Sequence, residues 1–380
     1  MSTRLKGGRP MLDKDIKSGL YQLGRTPYSL RHAYISLKVN DEYANSLDAI
    51  EQYVSISTIE MRNNFLADLT PLRALPYLTS LNVLRNKLTE VLAFSPPRCE
   101  NGAMHAPPPS PWAAGEDVGR AWATGDRHIG SLLRDADLSS NEIEEIRDVS
   151  EHRNLQTLVL DSNRIGALAM GQLSGLPTLH TLHLSNNCLT QIRGLDGLPL
   201  EELSIDHNQI AYLETLDTLP RLQRLFCSHN RLTSLDGLQR CTALNLIDAS
   251  SNQLSVIREV EYLQPLPTLN ALILAGNELA TLSFYRLRVI MRLQRITLLD
   301  AERVTSEEKV KAINLYGGEE SDVGHRADIS RKIFPGESFV NHLPPYVEVE
   351  ASPLQAANYE DYLTSKFLHD TTHVAAAVGQ

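Results

Sequence analysis

Cysteine is scarce. The 380 residues hold four, Cys99, Cys188, Cys227 and Cys241, and no two form a Cys-x-x-Cys pair. That spacing offers neither a zinc site nor a disulfide framework, and it points to a reducing compartment. Long apolar runs are missing too: no stretch reaches the roughly 18 residues that a membrane-spanning helix needs. The opening MSTRLKGGRPMLDKD lacks the apolar core of a secretory signal. Aromatic residues are few, and the only two tryptophans are Trp112 and Trp122. No glycine-rich phosphate loop, nucleophile elbow or paired-carboxylate motif occurs. These absences predict a chain with no catalytic residues, no cofactor, no metal and no small-molecule substrate.

What is present is a phrase. Leu-x-x-Leu-x-Leu-x-x-Asn-x-Leu, with apolar substitutions, starts at Ile56, Leu78, Leu133, Leu155, Leu179, Leu200, Leu222, Leu244 and Leu269. Its asparagines are Asn64, Asn86, Asn141, Asn163, Asn187, Asn208, Asn230, Asn252 and Asn277. A decayed tenth copy reads from Leu293 through Ile296 and Leu298. Apart from one step of 55 residues, the starts lie 21 to 25 residues apart. Repeats of this length and pattern predict an α/β leucine-rich-repeat solenoid of nine to ten coils with a parallel sheet on its concave side. One coil cannot bury its leucines alone, but stacked coils bury them against each other. The asparagine amide both donates and accepts, so the phrase predicts a buried ladder serving the turn and the next coil. Cys227 takes an inward position in its phrase and reads as a small core hydrophobe rather than a nucleophile partnered by His229.

Outside the repeats the pattern divides the chain. Residues 1–27 read as a flexible arm. Residues 1–31 carry seven Lys or Arg against Asp13 and Asp15, in a chain of net charge −10. Such an arm could contact an acidic partner, a tubulin surface or nucleic acid, although a solvated terminus is the plainer reading. Residues 28–55 read as an N-terminal cap, with a strand over 32–39 and a helical turn over 47–53. The solenoid spans 56–316, interrupted at 94–130 by a proline-rich insert that loops from the return side of a coil. Thr305-Ser306-Glu307-Glu308 has the form of a capping box, opening a helix that ends at Gly317. The tail 317–380 reads as an extended strap with a helix over 354–369. Trp112 and Trp122 in the insert, and Phe334, Phe339, Tyr346, Tyr359, Leu363 and Phe367 in the tail, are candidate partner anchors.

The residue between the second and third leucines faces the concave side. That row reads Glu60, Asn82, Asp137, Val159, His183, Ser204, Phe226, Asp248, Ile273 and Thr297. Val159, Phe226, Leu246 and Ile273 are apolar where water is expected, and with His183 and Arg224 they form the candidate protein-binding face, Phe226 as anchor. The row has no basic stripe, which argues against nucleic acid on this face. His183, His207 and His229 come from different coils and columns and lack an attendant carboxylate pattern, which argues against a metal.

The ends carry a resemblance. YSLRHAYISLKVNDEYANSLDAI (28–50) with LADLTPLRAL (66–75), and FYRLRVIMRLQRITLLDAERVTSEEKVKA (284–312), resemble the first and closing segments of the leucine-rich repeat-containing protein 23 family, within the Sds22-like subclass of 22-residue repeats. The resemblance covers roughly 28–316; the insert and the aromatic tail depart from the family pattern. It implies a non-enzymatic scaffold of the axonemal radial spoke in motile cilia or flagella, near the spoke head. Its partners would be spoke and other axonemal proteins in a large hetero-complex, with no membrane. A phosphatase regulator of the Sds22 type is the alternative function, and a ribonucleoprotein adaptor using the basic arm a third.

Overall fold

The computed structural model describes residues 8–25, 32–92, 132–147, 149–150, 152–169, 171–173 and 175–316. The insert at 94–130 with Trp112 and Trp122, Gly317, and the tail with Phe334, Phe339, Tyr346, Tyr359, Leu363 and Phe367 lie outside them. The chain divides into two compact units after Gln209.

The first unit opens with β1 (Arg9–Pro10), α1 (Asp13–Gly19), β2 (Leu20–Arg25), β3 (His32–Lys38) and β4 (Ala44–Ser46). The repeat strands follow: β5 (Thr58–Glu60), β6 (Ser80–Asn82), β7 (Asp135–Asp137), β8 (Thr157–Val159), β9 (Thr181–His183) and β10 (Glu202–Ser204). From β3 to β10 they pair in parallel, while β2 lies antiparallel on β3 at the edge. The 55-residue step does not interrupt the sheet, since β6 pairs directly with β7, Leu81 opposite Ala136.

The flexible arm expected over 1–27 does not hold for residues 8–25. Arg9–Pro10 pairs with Ala44–Ser46, and Met11 and Ile16 are buried. Arg9 binds both Asp15 and Glu42, and Lys17 binds Asp13 at 2.6 Å. The segment is ordered because two apolar anchors and its own acids fix it over the first coils. The stacking of Tyr43 on Phe65, with the Lys87 ammonium 5.1 Å from the Phe65 ring centre, extends this packing across successive turns.

The second unit continues the phrase with β11 (Arg224–Phe226), β12 (Leu246–Asp248) and β13 (Ala271–Ile273), parallel and in register. Then come α2 (Tyr285–Arg292), β14 (Leu298–Leu299), β15 (Glu302–Arg303) and α3 (Ser306–Tyr316). The Thr305 hydroxyl accepts the Glu308 N–H at 3.2 Å and Glu308 accepts the Thr305 N–H at 2.8 Å, a reciprocal cap that starts α3. Arg286 ties this end together: its Nε meets Glu308 at 2.5 Å, and its terminal nitrogens donate to the Leu299 and Arg303 carbonyls, each at 2.9 Å.

Inside both units the fold is the leucine-rich-repeat solenoid that the phrase predicts. Each repeat strand from β5 to β13 is three residues long, its central Leu, Ile or Ala is buried, and most outer residues stay half-buried. Burying one such leucine is worth about 1.5–3 kcal/mol, so a column of them holds the stack. The tenth copy differs in register. Leu272 pairs with Leu299, not Leu298, so the copy runs from Ile296 through Leu299. Ile296 and Leu299 are buried while Leu298 is half-exposed.

The asparagines make the ladder's bonds. In the first unit Asn163 donates to its own Leu160 carbonyl at 2.9 Å and to Leu138 of the preceding coil at 3.1 Å, while accepting the Ile143 N–H at 3.2 Å. Asn187 and Asn208 repeat the pattern on Leu160 and Leu184. In the second unit Asn252 reaches Cys227 and Asn277 reaches Ala249. The reach is to the coil before, not the next. The residue ahead of each asparagine is left-handed: Asn63, Arg85, Ser140, Ser162, Asn186, His207, His229, Ser251 and Gly276 all have φ between 51° and 76°. That turn swings the asparagine side chain inward.

Candidate functional site

The strand face of the first unit is polar and largely satisfied from within. Glu60 forms ion pairs with Lys38 at 3.0 Å and with Arg62 at 3.2 Å, the Arg62 Nε making no hydrogen bond. Asn82 donates to Asp137 at 2.8 Å, and the Ser185 and Ser204 hydroxyls meet at 2.6 Å. Val159 lies half-buried between Asp137 and His183 in register. His183 does have attendant carboxylates, contrary to the sequence expectation. Its Nε2 lies 3.0 Å from Glu202 and its Nδ1 3.9 Å from Asp161. Glu202 comes from the neighbouring strand and Asp161 from the turn after β8, so no single phrase displays the arrangement. Burial pushes the Asp161 carboxyl above its usual range, against the opposing pull of the Ser185 N–H and His183. Among the described residues no group of three or more His, Cys, Asp or Glu could hold a metal ion.

The strand face of the second unit is different. Phe226, Asp248 and Ile273 stand side by side across β11, β12 and β13, and Arg224, Leu246, Ala271 and Leu298 form the adjacent row. Phe226, Leu246, Ile273 and Leu298 are all half-buried, and Arg224 is exposed. Asp248 turns one carboxylate oxygen back to the Ser250 N–H and hydroxyl at 3.0 and 2.7 Å. The face is therefore an apolar strip interrupted by Asp248 between Phe226 and Ile273 and bordered by an arginine. Leu298 belongs to this strip, and Thr297 precedes it. Reading Leu298 as an inward leucine hid it, and the only signal was the Leu298-Leu299 doublet, which permits either register. His207 and His229 occupy left-handed turn positions, one in each unit.

The buried thiols fit the core reading: Cys227 and Cys241 are inaccessible, and the Cys241 thiol, buried and near Asp217, is pushed up to about 12. Among the described residues no helix is long and apolar enough to cross a membrane.

Each unit has the leucine-rich-repeat fold with its own asparagine ladder, its strand face polar in the first unit and largely apolar in the second. Two family models, both described as leucine-rich repeat, match residues 153–210 and 199–327. Across most of its length the chain is similar to leucine-rich repeat-containing protein 23. The Bos taurus protein is 25% identical over 304 residues, covering 80% of this chain and 79% of that protein. The Homo sapiens protein is 24% identical, covering 80% and 78%. An Arabidopsis thaliana protein named protein phosphatase 1 regulatory inhibitor subunit PPP1R7 homolog is 30% identical over 196 residues, 50% of this chain and 56% of that one.

Proposed function

We propose that the chain is a non-enzymatic scaffold subunit of the radial spoke in the axoneme of motile cilia or flagella, near the spoke head. It would hold neighbouring spoke proteins on the apolar strip of its second unit. The similarity to leucine-rich repeat-containing protein 23 over four fifths of the chain supports the assembly, and the strip of Phe226, Leu246 and Ile273 supports the mode of binding. Half-buried apolar side chains gathered on one strand face lose their remaining water only against a partner, and an aromatic among them is the usual anchor. The insert, with Trp112 and Trp122, and the tail supply further attachments that raise avidity without a tight single site. In this reading the protein resides in the cytoskeleton of the cilium and takes no nucleic acid.

The test is retention on salt-washed axonemes. The wild-type chain should remain with the axoneme, and Phe226→Glu should lower retention about tenfold or more with an unchanged unfolding midpoint. Equal retention of the two would remove the strip from the mechanism. The similarity to the Arabidopsis phosphatase-regulator homolog favours a second reading, a phosphatase regulator. Release of the chain into the salt-soluble fraction together with phosphatase activity would favour it.

A further inference from the structure

We infer that the apolar strip of the second unit takes an amphipathic helix of a partner protein, and that this helix carries one lysine or arginine on its apolar side, set against Asp248. The inference rests on the strip being a docking surface and adds what the docked segment must contain.

Asp248 is the one charged residue inside the strip. It stands on β12 with Phe226 beside it on β11 and Ile273 beside it on β13, and Leu246 precedes it by two residues on the same face. One carboxylate oxygen accepts the Ser250 N–H and hydroxyl. The other has no hydrogen-bond or ion-pair partner among the described residues. Arg224 stands diagonally across, opposite Leu246, and makes no ion pair with Asp248.

A partner that covers Phe226, Leu246 and Ile273 covers Asp248 with them. Against a wholly apolar partner the carboxylate would be buried without a counter-charge, which is strongly unfavourable. A cation brought by the partner to that point removes the penalty. The same carboxylate then rejects partners that lack one.

Spacing selects a helix. Adjacent strands lie about 4.8 Å apart, so Phe226 and Ile273 are separated by about 9.6 Å with Asp248 midway. Seven helical residues advance about 10.5 Å. Residues i, i+4 and i+7 of a helix laid across the strands therefore meet Phe226, Asp248 and Ile273 in turn. An extended segment repeats on one side about every 6.7 Å, and its third residue would overshoot Ile273 by about 4 Å. The neighbouring row of the helix covers Leu246 and Leu298, which are also two strands apart.

The experiment uses the full chain and capped 18-residue helical peptides, rich in alanine and glutamine, with leucine at positions 6, 9, 13 and 16. Position 10 is arginine in one peptide and leucine in a second. A third is the arginine peptide with proline at positions 8 and 12, which breaks the helix. Binding is read by fluorescence anisotropy. The arginine peptide should bind the wild type at least tenfold more tightly than the leucine peptide, and less tightly as salt rises. Asp248→Asn keeps an acceptor for Ser250 and removes the charge, so it should erase that preference. Phe226→Ala should weaken both helical peptides at least fivefold, and the proline peptide should bind at least tenfold more weakly than its parent. Unchanged unfolding midpoints verify the folds. No binding of the arginine peptide at millimolar concentration, equal binding of the arginine and leucine peptides, a preference unchanged in Asp248→Asn, arginine-peptide binding unchanged in Phe226→Ala, or full binding of the proline peptide would each overturn the proposal. If Phe226→Glu still lost its hold on salt-washed axonemes, such a result would remove the helix and its cation and leave the strip as the docking surface.

Discussion

Asn208 donates from Nδ2 to the Leu184 carbonyl 3.0 Å away, one coil earlier in the chain. Its oxygen accepts the Leu189 N–H of that same coil, also at 3.0 Å. Removing the amide leaves the buried Leu189 N–H without its partner, while the Leu184 carbonyl keeps only Asn187, at 3.0 Å. Asn208→Ala is expected to cost about 1–3 kcal/mol. Chemical denaturation measures it, and a midpoint equal to that of the wild type would refute the ladder's energetic role.

The left-handed column makes a separable prediction. Ser162 is exposed at φ 56°, so backbone conformation, not packing, governs its substitution. A β-branched residue fits this region poorly, and Ser162→Val should cost about 1–2 kcal/mol. Ser162→Asn should stay within about 0.5 kcal/mol of the wild type, since asparagine tolerates the conformation. Paired thermal melts of the two variants distinguish strain from loss of the hydroxyl.

At the other end, the Arg286 guanidinium holds the Glu308 carboxyl below its usual range, with the Thr305 N–H assisting. The folded chain therefore binds this proton less readily than the unfolded chain. The resulting stability is fully present above the ordinary glutamate range and is lost as pH falls through the lowered value. Glu308→Gln should cost about 1 kcal/mol at neutral pH, the pair being a quarter exposed. It should also flatten the acid limb of a stability–pH curve. A limb of unchanged slope would remove Glu308 from the linkage.

Thiol chemistry checks the burial of the repeats. Cys188 is exposed, whereas Cys227 and Cys241 are buried. Burial and the neighbouring Asp217 push the Cys241 thiol up to about 12, so near neutral pH it is protonated as well as inaccessible. Brief alkylation followed by peptide mass spectrometry should mark Cys188 in the native chain, and Cys227 and Cys241 only after denaturation. Early labelling of Cys241 would contradict the packing of its coil.

The sequence made the repeating interior legible because the phrase is periodic and each apolar position has one role. Leu158, Leu182 and Ile247 sit inward where the pattern put them. It was less informative where periodicity stops. Leu298 and Leu299 are equally apolar, and only pairing with Leu272 selects Leu299 for the core. Residues 8–25 carry just two buried apolar anchors, Met11 and Ile16, too few to stand out from a charged terminus. The direction of each asparagine's reach depends on side-chain geometry that spacing does not encode. The carboxylates beside His183 come from Asp161 and Glu202, about one repeat away on either side in sequence, and meet only after stacking.

Because each asparagine looks backward, the stack has a built-in order of assembly. A coil emerging from the ribosome finds the acceptors and donors for its amide already placed by the coil made before it. Synthesis and growth of the stack thus run in the same direction within each unit, and loss of early coils strands later amides in a way that loss of late coils does not.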